Sequence, residues 1–138
     1  MGGMQISEFR FFFPVVIRYM DLGTREHVNN ARYLSYLEDA RIAYRKYINL
    51  PRDVGVILAD THISYQVPIF LEDQIKVGVR VSEIGNKSIT FQHAIVDQAE
   101  KIVYATAEVV MVTFDYEVEK TIPVPESWRM AIHSFEED

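Results

Sequence analysis

The hydrophobic period of this chain changes once, and that change limits the folds open to it. Between Asn30 and Tyr47 the apolar residues recur at helical spacing. At a helix's 100° per residue, Tyr33, Leu37, Ala40, Tyr44 and Tyr47 fall in one stripe. Leu34, Tyr36, Ala43 and Ile48 widen it to about half the wheel, more than a helix resting on one flat partner requires. Arg32, Ser35, Glu38, Asp39, Arg45 and Lys46 make the opposite side. Asn29 or Asn30 serves as N-cap, and Asn49-Leu50-Pro51 stops the helix.

Elsewhere the period is two. A first strand over Phe9–Met20 is rich in aromatic and β-branched residues, and Pro14 within it calls for an edge position or a bulge. After the helix, residues 54–68 hold a strand around the alternating His62-Ile63-Ser64-Tyr65-Gln66-Val67. Gln74–Glu83 alternates at Ile75, Val77, Val79 and Val81; Gly85-Asn86 turns the chain; Ser88–Val96 returns with Ile89, Phe91, His93 and Ile95 on one face. Residues 98–101 turn again into a last long strand, Ile102–Phe114. Tight turns imply antiparallel pairing. One early helix followed by an antiparallel meander predicts an α+β fold in which a curved antiparallel sheet wraps one long central helix.

The 138 residues suit a single domain over 1–138, with residues 116–138 an acidic, proline-spaced C-terminal tail holding one short helix near Glu126–His133. Hydrophobic residues at 49% and charged residues at 25% are the proportions of a globular chain, not a disordered one. With no cysteine there is no disulfide, thiolate metal site or thiol nucleophile, and a cytoplasmic location is expected. The formal net charge of −6 argues against nucleic acid as a partner. Residues 10–52 nevertheless hold eight basic and four acidic side chains, so a compact anion could be met locally. The longest apolar run, Phe11–Ile17, is seven residues against the roughly 20 of a membrane-spanning helix, so no membrane is expected. Met1-Gly2-Gly3-Met4 lacks the basic flank of a signal peptide.

Three segments then stand out together: Arg18-Tyr19-Met20-Asp21, His27-Val28-Asn29-Asn30, and Tyr33-Leu34-Ser35-Tyr36-Leu37-Glu38-Asp39-Ala40-Arg41. They resemble the signature of hotdog-fold acyl-CoA thioesterases, in the branch of 4-hydroxybenzoyl-CoA and acyl-acyl-carrier-protein thioesterases. Tyr65-Gln66-Val67-Pro68 and the hairpin Ile84-Gly85-Asn86-Lys87-Ser88 extend the likeness over about residues 8–115. The resemblance implies a sheet wrapped around the helix, a homo-oligomer (a dimer or tetramer) built edge to edge, and an active site at the dimer interface. There an acyl-CoA substrate is hydrolysed with no metal and no bound cofactor. Family members carry Asp-x-Asp where this chain has Asp21-Leu22-Gly23, so the carboxylate credited as nucleophile or base is replaced by Gly23. Three readings stay open: Asp21 substitutes, another group activates water, or the protein binds acyl-CoA without hydrolysing it.

Thioester hydrolysis needs a base or nucleophile at the carbonyl carbon and donors at its oxygen. Amides at the start of the helix, around Asn30, supply such donors, and the helix dipole reinforces them. Asp21 and His27 are the candidates for activating or positioning water, against a loop-capping carboxylate and a loop-pinning histidine. Asn29 and Asn30 are candidates for holding carbonyl or water, against plain helix capping. Glu38 is a possible replacement carboxylate, since the superfold includes members with one on this helix; the plainer reading is an ion pair with Arg41. Lys87 with Ser88 at the hairpin, and Arg25 in the loop, could meet CoA phosphates. Tyr33 and Tyr36, with Tyr44 and Tyr47, could shape an acyl pocket or belong to the core.

Other chemistries fail on spacing. There is no Gly-x-Ser-x-Gly elbow, Gly85-Asn86-Lys87-Ser88 lacks the upstream glycine of a phosphate loop, and the four histidines stand too far apart for an H-E-x-x-H pair. The alternatives to an acyl-CoA thioesterase are an acyl-carrier-protein thioesterase and a non-catalytic acyl-CoA-binding protein.

Overall fold

The computed structural model describes residues 4–137; Met1-Gly2-Gly3 and Asp138 lie outside the described residues. Strands β1 (Phe11–Val15), β2 (Gly55–Tyr65), β3 (Ile75–Ile84), β4 (Ser88–Asp97) and β5 (Val103–Asp115) form one sheet in the order β1-β3-β4-β5-β2. Every pairing is antiparallel, and a two-residue strand β6 (Lys120–Thr121) adds to the end of β5. The β3-β4-β5 meander is the one the turns predict. Helix α1 spans Asn30–Tyr47, the bounds the periodicity gives, with the Asn29 side chain accepting the Ala31 N–H at 2.9 Å as N-cap.

The concave face of the sheet packs on α1. Tyr33, Tyr36, Leu37, Ala40 and Tyr44 are buried against Ile75, Val77, Val79, Ile89, Phe91 and Ile95. The helix's broad apolar arc is what a curving sheet covers. Pro14 does sit on an edge strand, paired with Lys76, where its missing N–H costs no ladder bond. The first strand is shorter than expected, however. It ends at Val15, and Tyr19–Asp21 form a single 3-10 turn in which the Asp21 carboxylate accepts the Arg18 N–H.

Two features were not visible in the periodicity. Ala94 and Val96 of β4 are fully buried on the convex face, beneath Phe9, Phe12, Met4 and Ile6. Gly78 makes room for that cover, since a Cβ there would meet the Phe12 and Phe9 rings at 2.9 and 3.0 Å. The acidic C-terminal segment also forms a longer helix than expected: α2 spans Glu126–Glu136 and buries Trp128 and Ile132 in the main core. Glu136 is bound inward, its Oε2 accepting the Tyr44 hydroxyl at 2.5 Å and the Val81 N–H at 2.9 Å. Among the described residues no helix is long and apolar enough to cross a membrane.

Candidate functional site

The loop from Asp21 to Asn29 is fastened at both ends to the start of α1. Gly23 N–H donates to the His27 carbonyl at 2.7 Å, Glu26 N–H to the Gly23 carbonyl at 3.2 Å, and Glu26 adopts the left-handed conformation the turn needs (φ 67°). Asn29 N–H then donates to the Asp21 carbonyl at 2.8 Å, and Val28 N–H to the Ile69 carbonyl at 2.8 Å. The loop is thereby held between α1 and the β2–β3 connection.

Asp21 is 2% exposed and its Oδ2 is already engaged, accepting the Tyr36 hydroxyl at 2.7 Å and the Arg18 N–H at 3.0 Å. Arg32 Nε lies 3.7 Å from Oδ1. Burial, and next the Asp21 carboxylate, push the Tyr36 hydroxyl's pKa far up, so it stays a donor. The expectation that Asp21 and His27 share water at one site is not met. Asp21 faces a cavity of about 380 Å³ beside β1, shared with Arg32, Ser35, Tyr36 and Asp39, whereas His27 faces another. The physical reason is the Tyr36 bond, which turns the carboxylate under the helix.

That other cavity, about 240 Å³, brings His27, Asn30 and Tyr33 together with Tyr65, Gln66 and Pro68. His27 Nδ1 donates to the Val28 carbonyl at 3.2 Å, which leaves Nε2 as the acceptor of the neutral ring. At the helix start, Ala31 N–H is taken by the Asn29 cap and Arg32 N–H by the Asn29 carbonyl at 2.9 Å. Asn30 N–H alone of these three has no hydrogen-bond partner among the described residues. Asn29 is therefore a cap, and the free donor belongs to Asn30. Tyr33 is buried, its ring edge-on to Tyr65 at 4.9 Å, and burial raises its hydroxyl pKa. Tyr65, whose hydroxyl donates to the Asn30 carbonyl at 3.3 Å, belongs to the Tyr65-Gln66-Val67-Pro68 segment of the resemblance but is not among the site residues the sequence points to. Its position at the end of an alternating strand was the available signal.

The remaining candidates do not join this cavity in one chain. Arg25 is exposed on the loop, with no ion-pair partner among the described residues. Lys87 and Ser88 lie at the far end of the sheet. Tyr65 is level with Ile95 through Ala105, and Ser88 is seven residues from Ile95 along β4, about 23 Å at the usual strand rise. The reason is topological, since the β3–β4 hairpin points to the C-terminal end of α1, where Arg129 Nη2 donates to the Gly85 carbonyl at 2.7 Å. Glu38 closes no contact ion pair with Arg41, because Arg41 turns inward and donates to His93 Nε2 at 3.4 Å. Tyr36 and Tyr44 spend their hydroxyls on Asp21 and Glu136, and Tyr47 is 63% exposed. A concavity of about 760 Å³ also lies at this far end, where the basic Arg45, Lys46 and Arg52 stand beside the acidic Asp53, Asp115 and Glu117.

Known proteins share both the sequence and this architecture. The chain is 28% identical to the acyl-CoA thioesterase YbgC of Haemophilus influenzae over 89% of this chain and 94% of that protein. It is 26% identical to the long-chain acyl-CoA thioesterase FadM of Escherichia coli, over 78% and 86%. A thioesterase from Thermus thermophilus, solved as a complex with coenzyme A and zinc, superposes with a TM-score of 0.85 at 32% identity, covering 96% of this chain and 98% of that one. The fold is thus the hotdog of acyl-CoA thioesterases. A sequence model of the thioesterase-like superfamily matches residues 15–132, and the chain belongs to that superfamily.

Proposed function

We propose that this protein hydrolyses acyl-CoA thioesters to free acid and CoA, with the chemistry at the N-terminus of α1. The observation that carries the reading is the unpaired Asn30 N–H at the helix start, in the same cavity as the accepting Nε2 of His27. In the reaction, His27 Nε2 takes a proton from water as the water oxygen attacks the thioester carbonyl. The resulting oxyanion is held by Asn30 N–H and the helix dipole. Collapse breaks the C–S bond, and the proton on His27 passes to the departing CoA sulfur. Asp21 acts as a positioning residue, holding the loop against Tyr36.

A homodimer paired through the free edge of β2 completes the reading. Leu58 on β2 is 54% exposed and Ile42 on α1 is 49% exposed, apolar surface next to an unpaired ladder. Two antiparallel copies of β2 set the Gly55 end of one against the Tyr65 end of the other. The far-end cations of one copy, Lys87, Lys46 and Arg52, then approach the His27–Asn30 cavity of the other, where CoA phosphates need them. A cytoplasmic location belongs to the same proposal.

The second reading, a binding protein without turnover, is favoured by Gly23. A side chain fits there: a Cβ would lie 3.6 Å from the His27 carbonyl oxygen and 4.0 Å from the Asn29 Cα, and no glycine among the described residues has positive φ. One assay separates the readings, free-thiol release from a panel of acyl-CoAs. Asn30→Pro removes the N–H at a helix position proline tolerates, and Asn29 already has the extended conformation required before proline (φ −65°, ψ 137°). Turnover falls by about 10²–10³-fold in Asn30→Pro, with Asn30→Ala as side-chain control, and by about 10²–10⁴-fold in His27→Ala. If the wild type is inert while Gly23→Asp gains release of about tenfold or more over background, the chain is a binder that has lost its base. Full wild-type activity retained in Asn30→Pro sinks the proposed site.

A further inference from the structure

A further cavity lies three turns along α1 from Asn30. It measures about 140 Å³ and has apolar walls, Leu50, Val56, Phe91 and Met111. Its polar lining is Glu38, Arg41, Arg45 and the indole of Trp128. Three donors packed close to it lack acceptors, on Arg45, on Trp128 and, deeper, on His93. Arg45 Nη2 donates to the Pro51 and Val54 carbonyls at 3.1 and 2.7 Å, yet its Nε–H is enclosed without a partner. Trp128, 1% exposed, has an enclosed and unpartnered Nε1–H. Arg41 donates to Nε2 of the fully buried His93, so the ring proton sits on Nδ1, which is likewise enclosed without an acceptor. Glu38 closes no ion pair with either arginine within 4.0 Å.

Those three atoms are closed to a water-sized probe, so the donors within a ligand's reach are those of Arg41, whose guanidinium lines the cavity with a single hydrogen bond of its own, the one to His93. We infer that this cavity is a carboxylate-binding site, with Arg41 as the cation that meets the ligand. A carboxylate offers only acceptors, matches a guanidinium fork, and can leave its carbon tail against the apolar walls. At about 30 Å³ per water-sized volume, the cavity holds about four or five non-hydrogen atoms, a carboxylate with one or two further carbons. Two sources carry that group. One is a small free carboxylate. The other is the far end of an ω-carboxyl acyl chain whose thioester lies at Asn30. Arg41 is eleven residues from Asn30, on the same side of α1 and about 16 Å along its axis. Only this second source rests on the thioesterase reading.

Trp128 is the sole tryptophan, so its emission reports the cavity wall directly. Titration with sodium propionate, against sodium chloride at equal ionic strength, gives a saturable change in that emission with propionate alone. Arg41→Gln weakens it at least tenfold, as does Val56→Phe, which fills the cavity; a thermal melt checks that each variant folds. An acyl-end source gives no propionate response. Instead kcat/KM favours dodecanedioyl-CoA, long enough to span the distance, over lauroyl-CoA, and Arg41→Gln brings the ratio to one. No response to propionate and no preference between the two thioesters in the wild type overturns the site. Saturable propionate binding in a protein that hydrolyses no thioester leaves the site standing and removes the thioesterase reading instead.

Discussion

Asp21 and Gly23 stand two residues apart and have opposite tasks. Asp21 carries a carboxylate that is consumed by Tyr36 and Arg18, while Gly23 leaves open the space beside His27 where a carboxylate would fit. A local motif reads the types of both residues but not which hydroxyl claims the acid, because Tyr36 reaches it only once α1 is docked. His93 makes the same point from the core. Alternation places it on the inner face of β4, yet its neighbour Arg41 comes from a helix 52 residues away in sequence. Burial, and then Arg41, hold the imidazole's pKa well below 6.5, so it is neutral in the folded chain. The unfolded chain binds the proton that the folded one refuses. This contribution is therefore complete above about pH 6.5 and is lost as pH falls from there toward the folded value, at up to about 1.4 kcal/mol per pH unit. Urea unfolding at pH 7.5, 6.5 and 5.5 should show a shallower acid loss in His93→Gln, which keeps an acceptor for Arg41. Equal slopes in the two proteins would contradict the neutral, buried state.

At the level of elements, α1 and α2 differ in how they are specified. The limits of α1 were legible because its signals are local: a broad apolar stripe, the Asn29 cap, and Asn49-Leu50-Pro51 at the end. The full extent of α2 was not, since acidic residues and prolines read as a solvated tail. What holds its last turn is Glu136, clamped between Tyr44 of α1 and Val81 of β3. Removing a charged acceptor from two buried donors costs about 1.5–3 kcal/mol. Glu136→Ala should lower urea stability by that amount, and Tyr44→Phe should add little in the Glu136→Ala background. Full additivity in that double-mutant cycle would mean that the two side chains do not interact.

For the whole molecule, the sheet has two edges, and β2 is the long one. Its Leu58, beside a register shift between Leu58 and Asp60, is the large apolar side chain most exposed along it. If two copies pair there, sedimentation should return twice the 16.0 kDa chain mass, and Leu58→Arg should return the single chain. Thiol release should be lost when dimerisation is lost, since Lys87 and Asn30 occupy opposite ends of one chain. A monomeric wild type with full turnover would refute the shared site.

Periodicity, caps and turn residues depend on a few neighbours at a time, so the helix limits, the choice of an edge or a bulge for Pro14, the hairpin at Gly85 and the antiparallel meander could be read from the chain itself. So could the family, since His27-Val28-Asn29-Asn30 leading into a tyrosine-rich helix is a contiguous pattern. Tertiary structure decided which of those residues meet. It set Asp21 and His27 in separate cavities, carried Lys87 to the other end of the sheet, and turned Arg41 inward. Each of these outcomes depends on strand order and sheet curvature. Those are set by packing between segments far apart in the chain, a quantity that no window of sequence contains.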